Sequence, residues 1–226
     1  MAFAATSRHS VRKDGLPSAA PRCRYLPTIG RGGKGAGCGG DVVWQLKKTI
    51  VLVGMMGAGK TAVGTQLARM LAVAFLDSDE EITRAADRTI AEIFDRDGEA
   101  FFRLKESQVL GRLLKGPPVV LSTGGGAFLA EANRRAIADM GVSVWLRADL
   151  DLLWQRVRHK TTRPLLRTPN PRDTLRTLHD ARAPVYGLAD LVVDSRASYS
   201  VEDMAAKVCE ALTARPDVLT PEEQRA

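Results

Sequence analysis

The sequence predicts an α/β fold, a parallel sheet with helices packed on its faces. Three observations carry that reading. From Lys47 onward, short apolar runs alternate with segments of helical periodicity. The apolar runs are unbroken rather than alternating, as in strands buried on both faces. Between the first run and the first helix, Gly54-Met55-Met56-Gly57-Ala58-Gly59-Lys60-Thr61 matches G-x-x-x-x-G-K-[ST]. Ligands of such sheets bind at the carboxyl ends of the strands.

Thr49 to Val53 is the first strand. After Thr61, Val63, Leu67, Met70 and Leu71 recur at helical spacing. In this context the glycines let backbone N–H groups wrap a polyphosphate at the positive end of a helix. Lys60 would reach the β/γ-phosphates and Thr61 would ligate Mg²⁺. The alternative, a flexible loop between core elements, does not need a strand before it and a helix after it. The chain therefore reads as binding a nucleoside triphosphate.

A second apolar run, Ala72 to Leu76, ends in Asp77-Ser78-Asp79 and a short helix through Ile82. Thr89 with Glu92 forms a capping box ahead of Ile90, Ile93 and Phe94. Asp97-Gly98 interrupts the pattern, and a longer helix carries Phe102, Val109, Leu110 and Leu113 up to Gly116-Pro117-Pro118. The third strand, Val119 to Leu121, runs into Ser122-Thr123-Gly124-Gly125-Gly126. A helix near Glu131 to Met140, a strand from Val142 to Leu146, and a helix capped by Asp149 through Arg156 and Val157 follow.

From His159 to Pro171 the chain is polar and aperiodic, too long for an ordinary connection, and reads as a lid. A helix with Leu175, Leu178 and Arg182 is expected to stop at Pro184. Leu191 to Val193 is the fifth strand, and Ser200 with Asp203 opens a last helix through Met204, Val208 and Leu212. No internal repeat is visible.

The 226 residues, 45% of them apolar, suffice for one globular domain. No apolar run has the length of a membrane span. The net charge of +7 suggests nucleic acid until it is located: residues 1–40 carry seven basic residues against Asp14 alone, which leaves the rest at +1. Residues 1–46 are Gly-, Ser- and Arg-rich without periodicity and read as a disordered tail. Residues 47–214 form the domain, and 215–226 a polar C-terminal tail. The tail has no apolar stretch of a secretory signal, while a transit peptide or an early start codon would both fit its composition. Cys23, Cys38 and Cys209 show no metal-site or disulfide spacing, so a reducing cytoplasm is the expected compartment.

The strand exits supply the candidate site. If the chain is extended there, Asp77 and Asp79 share a face, one carboxylate serving Mg²⁺ and the other substrate hydroxyls. The alternative is an N-cap cluster for the following helix. The third strand ends without the acidic residue often held opposite such a phosphate loop, which makes Asp77 the nearest source of that charge. Gly124-Gly125-Gly126 lets a ligand approach the backbone closely. Arg103 is either a solvated face or an anion partner, and Arg182 lies in an apolar setting that favours a buried anion. Arg163, beside Pro164 in the lid, is placed to stabilise a phosphoryl group in transfer. Arginine forks suit a carboxylate and an acceptor-only aspartate suits hydroxyls. His9, His159 and His179 show no ligand or triad spacing.

Taken together, Gly54–Thr61, Asp77-Ser78-Asp79, Gly98-Glu99 with Phe102-Arg103, Thr123-Gly124-Gly125-Gly126, Arg163-Pro164-Leu165-Leu166, and Arg182-Ala183-Pro184 with Tyr186 resemble the shikimate kinase family in order and spacing from Thr49 to Leu212. The resemblance implies a P-loop, nucleoside-monophosphate-kinase-like three-layer sandwich with a five-stranded parallel sheet and a mobile lid. It implies Mg²⁺-dependent transfer of the ATP γ-phosphate to the 3-hydroxyl of shikimate, on the way to aromatic amino acids. By that resemblance, Lys60, Asp79 and Arg163 are catalytic. Gly57, Ala58, Gly59, Lys60, Thr61, Ala62, Arg156 and Arg163 hold ATP, with Arg156 stacked on adenine. Asp79, Arg103, Gly124, Gly125, Gly126 and Arg182 hold shikimate, and Thr61 and Asp77 serve the metal. Ser195 to Ser198 stands where the family's adenine loop does. The expected partners are shikimate and ATP, with no nucleic acid and no membrane, and the expected state is a monomer. Alternatives are a gluconate-like or nucleoside-monophosphate kinase of the same fold, or a non-catalytic regulatory relative. Such a relative would be expected to lose Lys60, Asp79 or Arg163, and all three are present.

Overall fold

The computed structural model describes residues 44–159, 164–166 and 168–221. In chain order these form β1 (Trp44–Leu46), β2 (Thr49–Val53), α1 (Lys60–Leu71), β3 (Phe75–Asp77), α2 (Ser78–Ala86) and α3 (Ile90–Leu114). Then come β4 (Val120–Ser122), α4 (Glu131–Met140), β5 (Gly141–Arg147), α5 (Leu150–Val157), α6 (Pro171–Tyr186), β6 (Leu191–Asp194), α7 (Val201–Thr213) and β7 (Leu219–Pro221). Single 3₁₀ turns stand at Ala127–Leu129 and Pro164–Leu166.

The main sheet has five parallel strands in the order β3-β4-β2-β5-β6. The unbroken apolar run of β2 has its reason here: all five residues are buried, since β4 and β5 flank it and helices cover both faces. Strand order reverses on either side of β2, so the crevice for ligands opens beyond Val53. The main core is built on β2, β4 and β5 with Leu67, Leu71, Leu110, Ile137, Leu153, Val208 and Leu212 from the helices.

A second, smaller cluster lies apart from it. Ile82 of α2 packs with Ile93 and Phe102 of α3, and the Phe94 and Phe102 rings sit 4.7 Å apart. The capping box at Thr89 is present, with Glu92 N–H donating to Thr89 Oγ1 and Glu92 Oε2 accepting from Thr89 N–H. The interruption expected at Asp97-Gly98 is a break inside α3, where Gly98 takes φ 80° and ψ 170°. The second half of α3 thereby carries Arg103 and Glu106 past the end of the sheet.

Three expectations are corrected. Trp44–Leu46, placed in the N-terminal tail, pairs antiparallel with Leu219–Pro221, placed in the C-terminal tail. Lys48 Nζ meets Asp217 at 2.9 Å, and Val218 and Leu219 are buried. Three-residue strands are too short to show a period, and each of these takes its partner from the far end of the domain. Helix α6 does not stop before Pro184 but contains it and ends at Tyr186. Pro184 forfeits one backbone hydrogen bond, and only Val185 and Tyr186 of the helix follow it, so the helix ends within the same turn. Asp79 is not in an extended segment. Asp77 ends β3 and caps α2 by accepting the Asp79 N–H at 3.0 Å, so Asp79 already stands in the first helical turn.

The lid expected from 159 to 171 contains the turn Pro164–Leu166 and the start of α6; Lys160 to Arg163 and Arg167 lie outside the described residues. Residues 1–43 and 222–226 also lie outside them. Among the described residues no helix is long and apolar enough to cross a membrane.

The strands β5 and β6 are tied by a reciprocal contact. Asp190 accepts from Ser143 N–H (2.8 Å) and Ser143 Oγ (2.6 Å), while Asp190 N–H donates back to Ser143 Oγ (2.9 Å). Ser143 is buried, so removing the carboxylate orphans its polar groups. Asp190→Ala should cost about 1–3 kcal/mol, a fall in melting temperature of about 2–4 °C per kcal/mol for a domain of this size. An unchanged thermal transition would show that the tie does not stabilise the sheet.

Candidate active site

The loop leaving β2 turns sharply at Gly57 and Gly59, with φ of 85° and 97°, and α1 starts at Lys60. No acidic residue stands in the first turn of α1, so the positive end of the helix is not neutralised from within. Lys60 Nζ donates to the carbonyls of Gly54 (2.9 Å) and Met55 (3.1 Å), which folds the ammonium over the loop. Thr61 Oγ1 donates to Asp77 Oδ2 at 3.2 Å. The alternative of a plain connecting loop does not account for a hydroxyl and a carboxylate brought together from two elements.

Asp77 thus does two jobs that the sequence left as alternatives. One oxygen caps α2 and the other faces Thr61. Ser78, fully buried, accepts the Gly124 N–H at 3.2 Å and ties the α2 start to the triple glycine. Asp79 comes close to that loop as well. A Cβ added to Gly124 would lie 2.7 Å from Asp79 Oδ1 and 3.0 Å from Glu106 Oε1. One added to Gly126 would lie 2.3 Å from Arg103 Nη1. Only glycine leaves room for those side chains.

Arg103 is not a solvated face. It is half-buried, with Nη1 on Glu106 at 2.8 Å and Nη2 on Glu99 at 3.1 Å. Glu106 has 2% side-chain exposure. Burial pushes its carboxyl above the ordinary value, Arg103 draws it back, and the nearby Asp79 charge adds to the rise. Arg182 reaches the same loop from α6, with Nη1 3.4 Å from the Gly125 carbonyl oxygen, and Tyr186 one turn later donates to that oxygen at 2.5 Å. From behind, buried Asn133 donates to the Ala127 carbonyl at 2.8 Å.

Two cavities open here. One, about 790 Å³, is lined by Gly57, Ala58, Gly59, Lys60, Thr61, Ala62, Asp77 and Arg156 and extends to Tyr199 and Val201. The other, about 1430 Å³, is lined by Arg103, Glu106, Gly126 and Arg182 with residues of α2 and α3. Met56, Asp79, Gly124 and Gly125 line both. Arg156 Nη1 lies within 3.4 Å of the carbonyls of Gly57 and Ala58 and of Ser195 Oγ, so it joins the phosphate loop to the exit of β6.

The fold therefore gathers the sequence candidates Gly57 to Ala62, Asp77, Asp79, Arg103, Gly124 to Gly126, Arg156 and Arg182 around two adjoining chambers. Arg163 lies outside the described residues. Sequence reasoning missed Glu106 and gave no role to Ser78 or Tyr186. The spacing of Glu106 three residues after Arg103 was a usable signal, since i, i+3 pairs share a helix face. Nothing local marked Ser78, whose partner is 46 residues away.

Thr61 and Asp77 are hard oxygen donors of the kind Mg²⁺ takes, and this ion needs few protein ligands when it also binds phosphate oxygens. Among the described residues no cluster of three or more Asp, Glu, His or Cys forms a metal site by itself. The donor set fits an ion delivered with a polyphosphate.

Residues 56–213 match the family model for shikimate kinase. A shikimate kinase from Cereibacter sphaeroides is 71% identical over 185 residues, which cover 82% of this chain and 92% of that protein. One from Ruegeria pomeroyi is 66% identical over 174 residues, 77% of this chain and 89% of the other. The solved shikimate kinase from Acinetobacter baumannii, in complex with shikimate, superposes with a TM-score of 0.71 at 39% identity, covering 75% of this chain and 94% of that one. The motifs, the five-stranded parallel sheet and these matches agree: the chain belongs to the shikimate kinase family.

Proposed function

We propose that this chain transfers the γ-phosphate of ATP to the 3-hydroxyl of shikimate. The observation that carries the reading is the shared wall of the two cavities. A phosphate loop lines one, Arg103 and Arg182 with Glu106 are among the residues that line the other, and Asp79 with Gly124 and Gly125 stands where they meet. A reacting hydroxyl held there is next to the incoming phosphoryl group, which is the positioning that phosphoryl transfer chiefly requires.

Each residue has a role set by its chemistry. The N–H groups of Gly57, Gly59, Lys60 and Thr61 and the Lys60 ammonium neutralise the polyphosphate. On polyphosphate binding, Lys60 exchanges the carbonyls of Gly54 and Met55 for phosphate oxygens. Thr61 and Asp77 would hold Mg²⁺, which supplies charge neutralisation at the phosphates. Asp79 accepts hydrogen bonds from the shikimate hydroxyls and takes the proton of the attacking one. Arg103 and Arg182 bind the substrate carboxylate, and Glu106 orients Arg103 through their ion pair. Arg156 stacks on the adenine, and, as the family resemblance implies, Arg163 would add a second cation for the phosphoryl group in transfer. The chain's excess positive charge lies in residues 1–40, and the remaining residues carry a net charge of only +1. The proposal accordingly includes neither nucleic acid nor membrane as partner and places the enzyme as a monomer in the cytoplasm.

The acceptor is tested by steady-state turnover with ATP against shikimate, gluconate and nucleoside monophosphates. Shikimate should be turned over with selectivity over the others, and no turnover at millimolar shikimate would defeat the reading. Asp79→Asn should lower kcat about 10²- to 10⁴-fold, the range for loss of a general base; a variant with wild-type kcat removes Asp79 from the chemistry. Arg182→Ala should raise the shikimate KM by about one to two orders of magnitude, as for a lost charged hydrogen bond. Its ATP KM should stay near normal, and an unchanged shikimate KM would exclude the carboxylate role.

A further inference from the structure

Tyr186 is buried to 1% exposure, yet its hydroxyl is spent on a loop carbonyl rather than on its own helix. The acceptor, the Gly125 oxygen, belongs to the wall shared by both cavities. All described peptide bonds are trans. In a trans peptide the C=O and the following N–H point in opposite directions. A carbonyl held toward α6 therefore turns the Gly126 N–H away from Tyr186. Among the described residues the N–H groups of Gly125 and Gly126 make no hydrogen bond, although both glycines line the larger cavity.

The ring that holds this peptide is itself held. Tyr186 packs on Trp145 of β5 with ring centroids 6.0 Å apart. Trp145 in turn lies against the phosphate loop, its Cδ1 3.2 Å from where a Gly54 Cβ would stand. Burial raises the phenol above its ordinary range, so it remains a donor across neutral pH. Arg182 also reaches the Gly125 oxygen, but at 3.4 Å and with a charge that an anionic ligand would compete for. Tyr186 is the neutral partner that can stay on the carbonyl when Arg182 turns to a ligand.

We propose that Tyr186 is a positioning residue, holding the Gly125 carbonyl so that the Gly126 N–H joins Arg103 and Arg182 in binding the substrate carboxylate. This rests on shikimate being the acceptor. Tyr186 touches no reacting atom, and its effect passes through the Gly125–Gly126 peptide. Were the hydroxyl only satisfying its own burial, its removal would lower stability and leave substrate binding alone.

The test compares the full-length wild type with Tyr186→Phe and Tyr186→Leu in steady-state turnover and thermal unfolding. Y186F keeps the ring and loses the hydroxyl, so its shikimate KM should rise about three- to tenfold, the worth of one hydrogen bond, with the ATP KM unchanged. Y186L should lower the melting temperature further without raising the shikimate KM by more than another twofold or so. Esterifying the shikimate carboxylate should weaken binding less in Y186F than in wild type, because part of the carboxylate's contribution is already gone. A Y186F enzyme with wild-type shikimate KM, or with the full ester penalty, overturns the proposal. Should Y186F fail to fold, the wild type labelled with ¹⁵N-glycine still decides: the Gly126 amide resonance should shift with shikimate and not with its methyl ester, and an unmoved resonance overturns the proposal. Wild type that neither binds nor turns over shikimate strikes the acceptor assignment and the proposal together. Wild-type turnover with an insensitive Y186F strikes Tyr186 alone.

Discussion

The site depends on how little matter stands at Gly124, Gly125 and Gly126. Asp79 and Glu106 approach the first of these glycines, Arg182 and Tyr186 the second, and Arg103 the third, from three different helices. A single methyl at Gly124 would lie 2.7 Å from an oxygen of Asp79. Three bare residues at the end of β4 thus let two chambers share a thin wall, and the groups of α2, α3 and α6 converge there. The phosphate loop, the helix caps and the break at Gly98 serve to bring those groups to that wall.

Charge is distributed to the same end. The smaller chamber ends on the unneutralised start of α1 with Lys60 folded over its loop. In the larger, the guanidinium groups of Arg103 and Arg182 stand near the carboxylates of Asp79 and Glu106, the latter almost wholly buried. A buried carboxylate is tolerated there because Arg103 pairs with it, and that pair fixes Arg103 in place. The smaller chamber is arranged for a polyanion, and the larger for a molecule with both an anionic group and hydroxyls. Asp77 joins the two by capping α2 and facing Thr61 with its two oxygens.

Much of this was legible in the chain. Gly54–Thr61 carries its chemistry in its own spacing, and the strands announced themselves because burial on both faces leaves unbroken apolar runs such as Thr49–Val53. Helix ends were readable at Thr89, Asp149 and Ser200, where a side chain caps a backbone donor three residues on. What was not legible depended on partners distant in sequence. Trp44–Leu46 has no strand character until Leu219–Pro221 lies beside it. From its own stretch of chain Arg103 could be a solvated face or an anion partner, and only its ion pair with the buried Glu106 excludes the solvated face. Ser78 and Tyr186 act through loop atoms that no local pattern connects to them.

By itself the sequence determined the fold class, the phosphate loop, the family resemblance and the cast of polar residues at the strand ends, because these rest on local periodicity and on motif spacing within a few residues. Only the tertiary structure decided which of them meet. The strand order β3-β4-β2-β5-β6 brings the ends of β2, β3 and β4 side by side, and α6 returns over them with Arg182 and Tyr186. Contacts across that distance are fixed by packing of the whole domain, and packing is not a property of any one stretch of chain.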